Sequence, residues 1–190
     1  MTVGKKNIYL VGPMGSGKTT IGNRLARKLD LEFYDCDHEI EARCGAKINL
    51  IFEIEGEVGF RARETRMLEE LSAREGVLVA TGGGAVLSAS NRELLKNSGI
   101  VVYLRTTVRQ QMERLRRDRS RPLLQDMNKE RTLSEMAEIR NPLYESVADL
   151  VFPVKNRNID STITQIYQVI CQHMGQPDDG ASRDGTRSRS

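Results

Sequence analysis

Cysteine is scarce in this sequence, and the three cysteines present, Cys36, Cys44 and Cys171, form no Cys-x-x-Cys pair. Small domains that depend on disulfides carry many paired cysteines, and zinc sites need ligands at short, regular spacings. The pattern therefore predicts neither a disulfide framework nor a zinc site. It favours a reducing compartment, the cytoplasm.

Long apolar runs are lacking as well. A membrane-spanning helix needs about 20 consecutive apolar residues, and the run that follows the N-terminal lysines extends only from Ile8 to Val11. That run is also too short for the core of a signal peptide. The 29 lysines and arginines exceed the 26 aspartates and glutamates by only 3, and so small an excess does not identify a partner.

With 190 residues, the chain is long enough for one domain and too short for two ordinary ones. Short apolar runs alternate with amphipathic stretches, which is typical of β-α-β units in a parallel sheet. We predict one α/β domain over residues 1–174, with three layers and a five-stranded parallel sheet flanked by helices. Residues 175–190 have almost no large apolar side chains, so we predict a disordered tail. The predicted strands cover residues 8–11, 32–34, 77–80, 100–104 and 150–154.

Two Ser/Thr-x-x-Glu patterns predict where helices begin. Ser90 with Glu93, and Thr132 with Glu135, can each form a reciprocal capping box that satisfies orphan backbone amides. We therefore expect helices to start at Ser90 and at Thr132.

A phosphate-binding loop follows the first predicted strand. Gly12, four further residues, then Gly17, Lys18 and Thr19 match G-x-x-x-x-G-K-[ST], with a helical pattern immediately after. Glycines in such a loop let successive amides point at phosphate oxygens, the lysine reaches the β and γ phosphates, and the threonine hydroxyl faces Mg²⁺. The alternative is a simple glycine turn. The predicted ATP-binding residues here are Gly15, Ser16, Gly17, Lys18, Thr19 and Thr20.

The rest of the chain narrows the class of phosphate-loop protein. The only Asn-Lys pair, Asn128-Lys129, is not followed by the aspartate that GTPases use to recognise guanine, which disfavours a GTPase. The third predicted strand ends at Ala80 and runs into Thr81 without an acidic residue. Another carboxylate must therefore take part in magnesium binding.

Two aspartates, Asp35 and Asp37, follow the second predicted strand, at the sheet edge where open α/β sheets bind ligands. Their side chains diverge if strand alternation continues past the strand end, one toward a metal and one toward an acceptor hydroxyl. The alternative is that Asp35 or Asp37 caps a helix that begins at His38.

Three further features lie on the same predicted edge or on nearby helices. The triplet Gly82-Gly83-Gly84 allows a ligand to approach the backbone closely, or is a flexible turn. Arg61, with Glu64 on the same helical face, and Arg140 on another helix are placed to clamp a carboxylate. Alternatively, both arginines make surface salt bridges.

An arginine-rich segment precedes Pro122. Its arginines have three interpretations: a nucleic-acid patch, a solvated helix face, or a lid over ATP that brings positive charge to the transferred phosphoryl group. A phosphate loop in so small a domain favours a lid over residues 114–126, because water must be kept from the γ-phosphate. The arginines are Arg114, Arg116, Arg117, Arg119 and Arg121.

Together these motifs resemble the shikimate kinases, a family of nucleoside-monophosphate-kinase-like P-loop NTPases. The resemblance covers roughly residues 6–172, in order and spacing. It rests on six elements: Gly-Pro-Met-Gly-Ser-Gly-Lys-Thr from Gly12; Phe33-Tyr34-Asp35-Cys36-Asp37 with Ile40-Glu41; Gly59-Phe60-Arg61 with Glu64; Ala80-Thr81-Gly82-Gly83-Gly84; Arg121-Pro122-Leu123-Leu124; and Arg140-Asn141-Pro142-Leu143-Tyr144.

The resemblance implies transfer of the ATP γ-phosphate to the 3-hydroxyl of shikimate, a step toward chorismate and the aromatic amino acids. On the acceptor side it implies a substrate-binding region over about residues 35–65. There Asp37 holds the hydroxyl and acts as base, and Arg61 and Arg140 bind the carboxylate. Gly83 makes a backbone contact to the ring, within the substrate-binding triplet of residues 82–84.

On the nucleotide side the resemblance implies that Asp35 assists Mg²⁺ through water beside Thr19. Arg121 is then the lid arginine, catalytic together with Lys18 and Asp37. Arg157 aligns with the segment that contacts adenine.

Two other functions compete with this interpretation. A small-metabolite kinase of the same architecture, such as a gluconate kinase, also binds a carboxylate and hydroxyls. A nucleotide-dependent regulator would have the same fold but would catalyse no reaction. We expect a monomer that binds ATP and shikimate, and neither nucleic acid nor membranes.

Overall fold

The computed structural model describes residues 6–115, 128–154 and 159–175. Arg121, most of the predicted lid, Arg157 and residues 176–190 of the predicted tail lie outside the described residues. Within the described ranges, no helix is both long and apolar enough to cross a lipid bilayer.

Five parallel strands form one sheet in the order β2-β3-β1-β4-β5, which confirms the predicted sheet. Every strand end lies within one residue of its predicted position. For β1, β3 and β4 the prediction succeeded because strands covered on both faces are continuous apolar runs in the sequence. The strands are β1 (Asn7–Val11), β2 (Glu32–Asp35), β3 (Val77–Ala80), β4 (Gly99–Arg105) and β5 (Leu150–Pro153).

Helices cover both faces of the sheet, as predicted for a three-layer α/β fold. Alternate residues of β1 point to opposite faces: Ile8 and Leu10 pack with α1 and α7, whereas Tyr9 and Val11 pack with residues of α2, α3, α4 and α6. The helices are α1 (Lys18–Leu29), α2 (Cys36–Cys44), α3 (Ile48–Ser72), α4 (Ala89–Ser98), α5 (Val108–Leu115), α6 (Lys129–Val147) and α7 (Ile159–His173), with a 3₁₀ turn at Ala85–Leu87.

Both predicted helix caps were wrong, by two residues at α4 and by four at α6. Ser88, not Ser90, caps α4, and its hydroxyl accepts a hydrogen bond from the amide of Asn91. Helix α6 begins at Lys129, and Thr132 lies inside it, where its hydroxyl donates to the carbonyl of Asn128 at 3.3 Å. Serine and threonine can bond to a carbonyl within the first helical turn as readily as they cap, so the pattern alone does not locate the cap.

Helix α3 bends at Gly56, which has φ 68° and ψ −177°. A positive φ of this kind is readily adopted only by glycine. The bend separates the first turns of α3, at the rim of the site, from the part that carries Phe60, Arg61 and Glu64.

Candidate active site

A cavity of about 570 Å³ opens at the carboxyl ends of β1, β2 and β3. Its walls come from the phosphate loop, α2, α3, residues 82–84 and α6. The structure brings twelve of the predicted site residues together here. They are Gly15, Gly17, Lys18, Thr19, Thr20, Asp35, Asp37, Arg61, Gly82, Gly83, Gly84 and Arg140. Ser16, the remaining predicted residue of the described loop, is fully buried and does not line the cavity.

The phosphate loop has the backbone conformation that its glycines predict. Gly12, Gly15 and Gly17 all have positive φ, at 145°, 73° and 92°. A Cβ on Gly12 would lie 2.7 Å from the carbonyl oxygen of Leu104, so both conformation and space require glycine there. Helix α1 begins directly after Gly17, and its N-terminus brings the positive end of the helix dipole to the cavity.

The ammonium group of Lys18 lies over the loop. Its Nζ donates to the carbonyls of Gly12 at 2.7 Å and Pro13 at 3.0 Å. These bonds hold the positive charge at the loop, where phosphate oxygens bind in proteins of this type.

Asp35 contacts Thr19 of the phosphate loop and also caps a helix. Its Oδ2 accepts the hydroxyl hydrogen of Thr19 at 2.6 Å. Its Oδ1 caps α2, accepting from the amides of Asp37 at 3.1 Å and His38 at 3.4 Å. The helix begins at Cys36, not at His38. Asp37 is therefore not the capping residue, and its carboxylate belongs to the cavity wall.

Arg61 is held by carboxylates on its own helix. Its Nη1 lies 2.7 Å from Oε2 of Glu64, as the spacing predicts, and Glu57 accepts from both its Nε and its Nη2. Burial opposes the charged guanidinium, but the two carboxylates outweigh burial and raise the pKa of Arg61. Sequence reasoning missed Glu57, although its i−4 spacing is the signal that would have found it.

Glu64 is a buried acid in the cavity wall. It is 1% exposed, and burial raises the pKa of its carboxyl although the neighbouring Arg61 favours the charged form. Its Oε1 has no hydrogen-bond partner among the described residues. Glu64 is thus both a support for Arg61 and a buried acceptor beside Asp37.

The three residues 82–84, called the glycine loop below, pack directly against these charged groups. A Cβ built on Gly82 would overlap Oε1 of Glu64 and lie 3.1 Å from Oδ1 of Asp37. A Cβ on Gly84 would overlap the guanidinium of Arg61. A side chain at Gly82 or Gly84 would therefore displace Glu64 or Arg61, whether or not a ligand is bound.

Arg140 approaches the glycine loop from the other side, on α6. Its Nη1 donates to the carbonyl of Gly83 at 3.4 Å, and Tyr144, one turn later, donates its hydroxyl hydrogen to the same oxygen. Arg61 and Arg140, from different helices, thus stand at neighbouring glycines. This is the arrangement that two arginines need to hold one carboxylate between them.

Several residues that line the acceptor end of the cavity, called the acceptor wall below, were not predicted from the sequence. His38, interpreted only as a helix or surface residue, lines the cavity. Phe52 and Phe60 also line it, with ring centroids 4.5 Å apart. Glu41 accepts from the amide of Ile48 at 3.0 Å and joins α2 to the start of α3. An apolar pair within a predicted substrate-binding region could have signalled the two phenylalanines.

The chain is similar to known proteins both in sequence and in fold. The family model described as "Shikimate kinase" matches residues 14–171. The shikimate kinase of Pasteurella multocida is 52% identical over 167 residues, covering 87% of this chain and 95% of that protein. A solved structure of shikimate kinase from Acinetobacter baumannii in complex with shikimate has a TM-score of 0.86 and 51% identity. It covers 89% of this chain and 94% of the other.

A gluconokinase from Sinorhizobium meliloti has a TM-score of 0.55 at 16% identity, and covers 88% of this chain and 97% of its own. At that identity the likeness shows the fold alone. It supports the predicted architecture and does not favour gluconate as acceptor.

Proposed function

The chain belongs to the shikimate kinase family, and we propose that the residues of this cavity carry out the transfer of the ATP γ-phosphate to the 3-hydroxyl of shikimate. The observation that supports this assignment is one cavity lined by Lys18 and Thr19 at one end, and by Asp37, Arg61 and Arg140 at the other. The enzyme is an ATP-dependent kinase with an alcohol acceptor. Its nucleotide-binding and acceptor-binding groups must therefore lie in the same cavity.

The phosphate loop and the N-terminus of α1 bind the nucleotide phosphates. Phosphoryl transfer asks little covalent chemistry of the protein, so positioning and neutralisation of charge supply most of the barrier reduction. Lys18 supplies a full positive charge, and the amides from Gly15 to Thr20 supply donors.

Thr19 and Asp35 would hold Mg²⁺. Magnesium takes oxygen ligands and keeps several of its waters, with one or two protein groups and the phosphates completing the shell. A hydroxyl and a carboxylate oxygen 2.6 Å apart at the nucleotide end fit that donor set. When bound, Mg²⁺ neutralises charge on the phosphate oxygens. Asp35, fixed by its cap to α2, would act through a metal-bound water.

Asp37, Arg61 and Arg140 bind the acceptor. Arg61 and Arg140 bind the carboxylate of shikimate through forked, charge-assisted hydrogen bonds. This fixes the ring so that the 3-hydroxyl lies at Asp37, which orients the hydroxyl and takes its proton. In a loose transition state the proton leaves late, so orientation matters as much as basicity.

Five further parts of the assignment concern residues or properties beyond this cavity. Arg121 would place its guanidinium on the transferred phosphoryl group and Arg157 would contact adenine, and both lie outside the described residues. The enzyme would act in the cytoplasm and as a monomer. The product, shikimate 3-phosphate, would lead toward chorismate.

A coupled assay of ADP release, run in parallel with shikimate, quinate and gluconate at saturating MgATP, tests the proposed function. Turnover with shikimate well above that with quinate or gluconate is expected. Turnover with gluconate alone would overturn the acceptor assignment, and ADP release that no acceptor stimulates would overturn the kinase assignment.

A further inference from the structure

The glycine loop has three consecutive residues without side chains at the centre of the acceptor wall. Glycine has more backbone freedom than any other residue, and a side chain at position 82 or 84 would displace the end of Glu64 or the guanidinium of Arg61. A single ligand-binding conformation must therefore be imposed on this loop by hydrogen bonds from its surroundings.

The three carbonyls of the loop are fixed in two different ways. The carbonyls of Gly82 and Gly84 accept locally, from the amides of Ala85 at 3.2 Å and Leu87 at 3.0 Å. The middle carbonyl, of Gly83, accepts from α6 instead, through the hydroxyl of Tyr144 and the guanidinium of Arg140. Because a trans peptide is planar, the direction of the Gly83 carbonyl sets the opposite direction of the Gly84 amide.

Tyr144 is itself held rigidly. It is fully buried, and its ring stacks on that of Tyr103 with centroids 5.1 Å apart. Burial raises the pKa of its hydroxyl, which therefore stays protonated and can donate. Tyr103 is equally buried, but its hydroxyl donates to Asn141 at 3.2 Å and not to the glycine loop.

Tyr144 and Arg140 donate to the same carbonyl oxygen, that of Gly83. The tyrosine therefore affects how many donors of Arg140 remain for a substrate. The contact of Arg140 with Gly83 is long, at 3.4 Å, and therefore weak. Without the tyrosine hydroxyl, the partly buried carbonyl of Gly83 would lose its main partner and would draw the guanidinium toward itself. An arginine turned to the backbone has fewer donors for a substrate carboxylate.

We propose that Tyr144 is a positioning residue for shikimate, whose hydroxyl fixes the peptide between Gly83 and Gly84 and leaves the guanidinium of Arg140 to the substrate carboxylate. This inference rests on the proposed function. Tyr144 acts through the loop and through Arg140 and touches no reacting atom.

The test compares Tyr144→Phe with Tyr103→Phe, which removes a hydroxyl from the other member of the same buried ring stack. In Tyr144→Phe we expect the KM for shikimate to rise about tenfold, since the partly buried carbonyl of Gly83 loses its main hydrogen bond, with the KM for ATP unchanged. In Tyr103→Phe we expect both KM values to stay at those of the wild type. Melting temperatures measure the structural cost of each change separately.

An unchanged KM for shikimate in Tyr144→Phe, or an equal rise in both variants, would overturn the proposal. Coupling to Arg140 is measured by adding Arg140→Lys. The double variant should raise the KM by less than the product of the two single effects, because one carbonyl links them. If the two single effects on the KM simply multiply in the double variant, Tyr144 and Arg140 act independently and the proposed link through Gly83 is wrong. Failure of the proposed function itself would appear in the wild-type enzyme as lack of activity on shikimate.

If Tyr144→Phe does not fold, the positioning role of Tyr144 can be tested by NMR on the wild-type enzyme. The chain has five tyrosines, whose ¹³Cζ-labelled NMR signals can be assigned through phenylalanine variants at the other four positions. The Tyr144 signal should shift when shikimate is added and stay in place with an ATP analogue alone. A signal that does not respond to shikimate would count against the positioning role.

Discussion

Asp35 joins the nucleotide end of the cavity to the acceptor end, because one of its carboxylate oxygens accepts from Thr19 and the other accepts from the amide of Asp37. The residue proposed to assist magnesium therefore also fixes the backbone of the residue proposed to hold the acceptor hydroxyl. A change at Asp35 should affect both ends in separable ways.

Asp35→Asn keeps an oxygen that can cap α2 but removes the negative charge beside Thr19. We expect the Mg²⁺ concentration for half-maximal activity to rise, with little change in melting temperature. Asp35→Ala should show the same magnesium effect and also lose about 1 kcal/mol of stability, the usual cost of removing an N-cap. Magnesium titration of the activity and thermal unfolding measure the two effects. An unchanged magnesium dependence in both variants would remove Asp35 from the metal site.

Asp37→Asn should abolish turnover while nucleotide binding persists. The amide can still occupy the space beside the glycine loop, but it cannot accept the proton of the 3-hydroxyl. Steady-state assays and calorimetric titration with an ATP analogue separate turnover from binding. Glu39→Gln, on the same helix but outside the cavity wall, is the matched control and should keep its activity. Turnover like that of the wild type in Asp37→Asn would contradict the assignment.

Arg61→Lys and Arg140→Lys should each raise the KM for shikimate by roughly ten- to a hundredfold, because an ammonium group cannot reproduce a forked contact with a carboxylate. The KM for ATP should change little in either variant. Arg63→Lys, two residues along α3, removes the guanidinium of an exposed arginine that pairs with Glu55 and should leave both constants unchanged. A shift confined to the KM for ATP would show that the arginines do not bind the acceptor.

Glu64→Gln should change how stability depends on pH. Burial raises the pKa of the Glu64 carboxyl above its usual value of 4.5, so the folded protein holds this proton more tightly than the unfolded chain. The stability gained from that proton is complete below pH 4.5 and is lost as the pH rises through the raised pKa. Relative to the wild type, the melting temperature of Glu64→Gln should therefore improve as the pH rises from 4.5 to 8. A difference that does not vary with pH would mean that the pKa is not raised.

Local patterns predicted much of this fold and of the candidate site. Four of the five strands were found because they are short apolar runs, and the phosphate loop because its glycines, lysine and threonine lie within eight consecutive residues. The Arg61–Glu64 pair followed from helical spacing. In each case the interacting residues are close in sequence.

Contacts between distant residues were not predictable in the same way. The bond from Tyr144 to Gly83 joins residues 61 apart in sequence, and no local pattern encodes it. The same holds for the packing of Glu64 and Arg61 on the glycine loop. The bend at Gly56 was missed because an isolated glycine in a helical pattern can be tolerated without a break.

The closed packing at residues 82 and 84 restricts where acceptor specificity can change. Because a side chain at either position would displace Glu64 or Arg61, a change there would disturb charged groups of the site together with the shape of the pocket. New specificity is more accessible along α3, where Ile48, Phe52 and Phe60 line the cavity with side chains that can be made larger or smaller. A library aimed at other hydroxy acids should vary those three positions and leave the glycine loop intact.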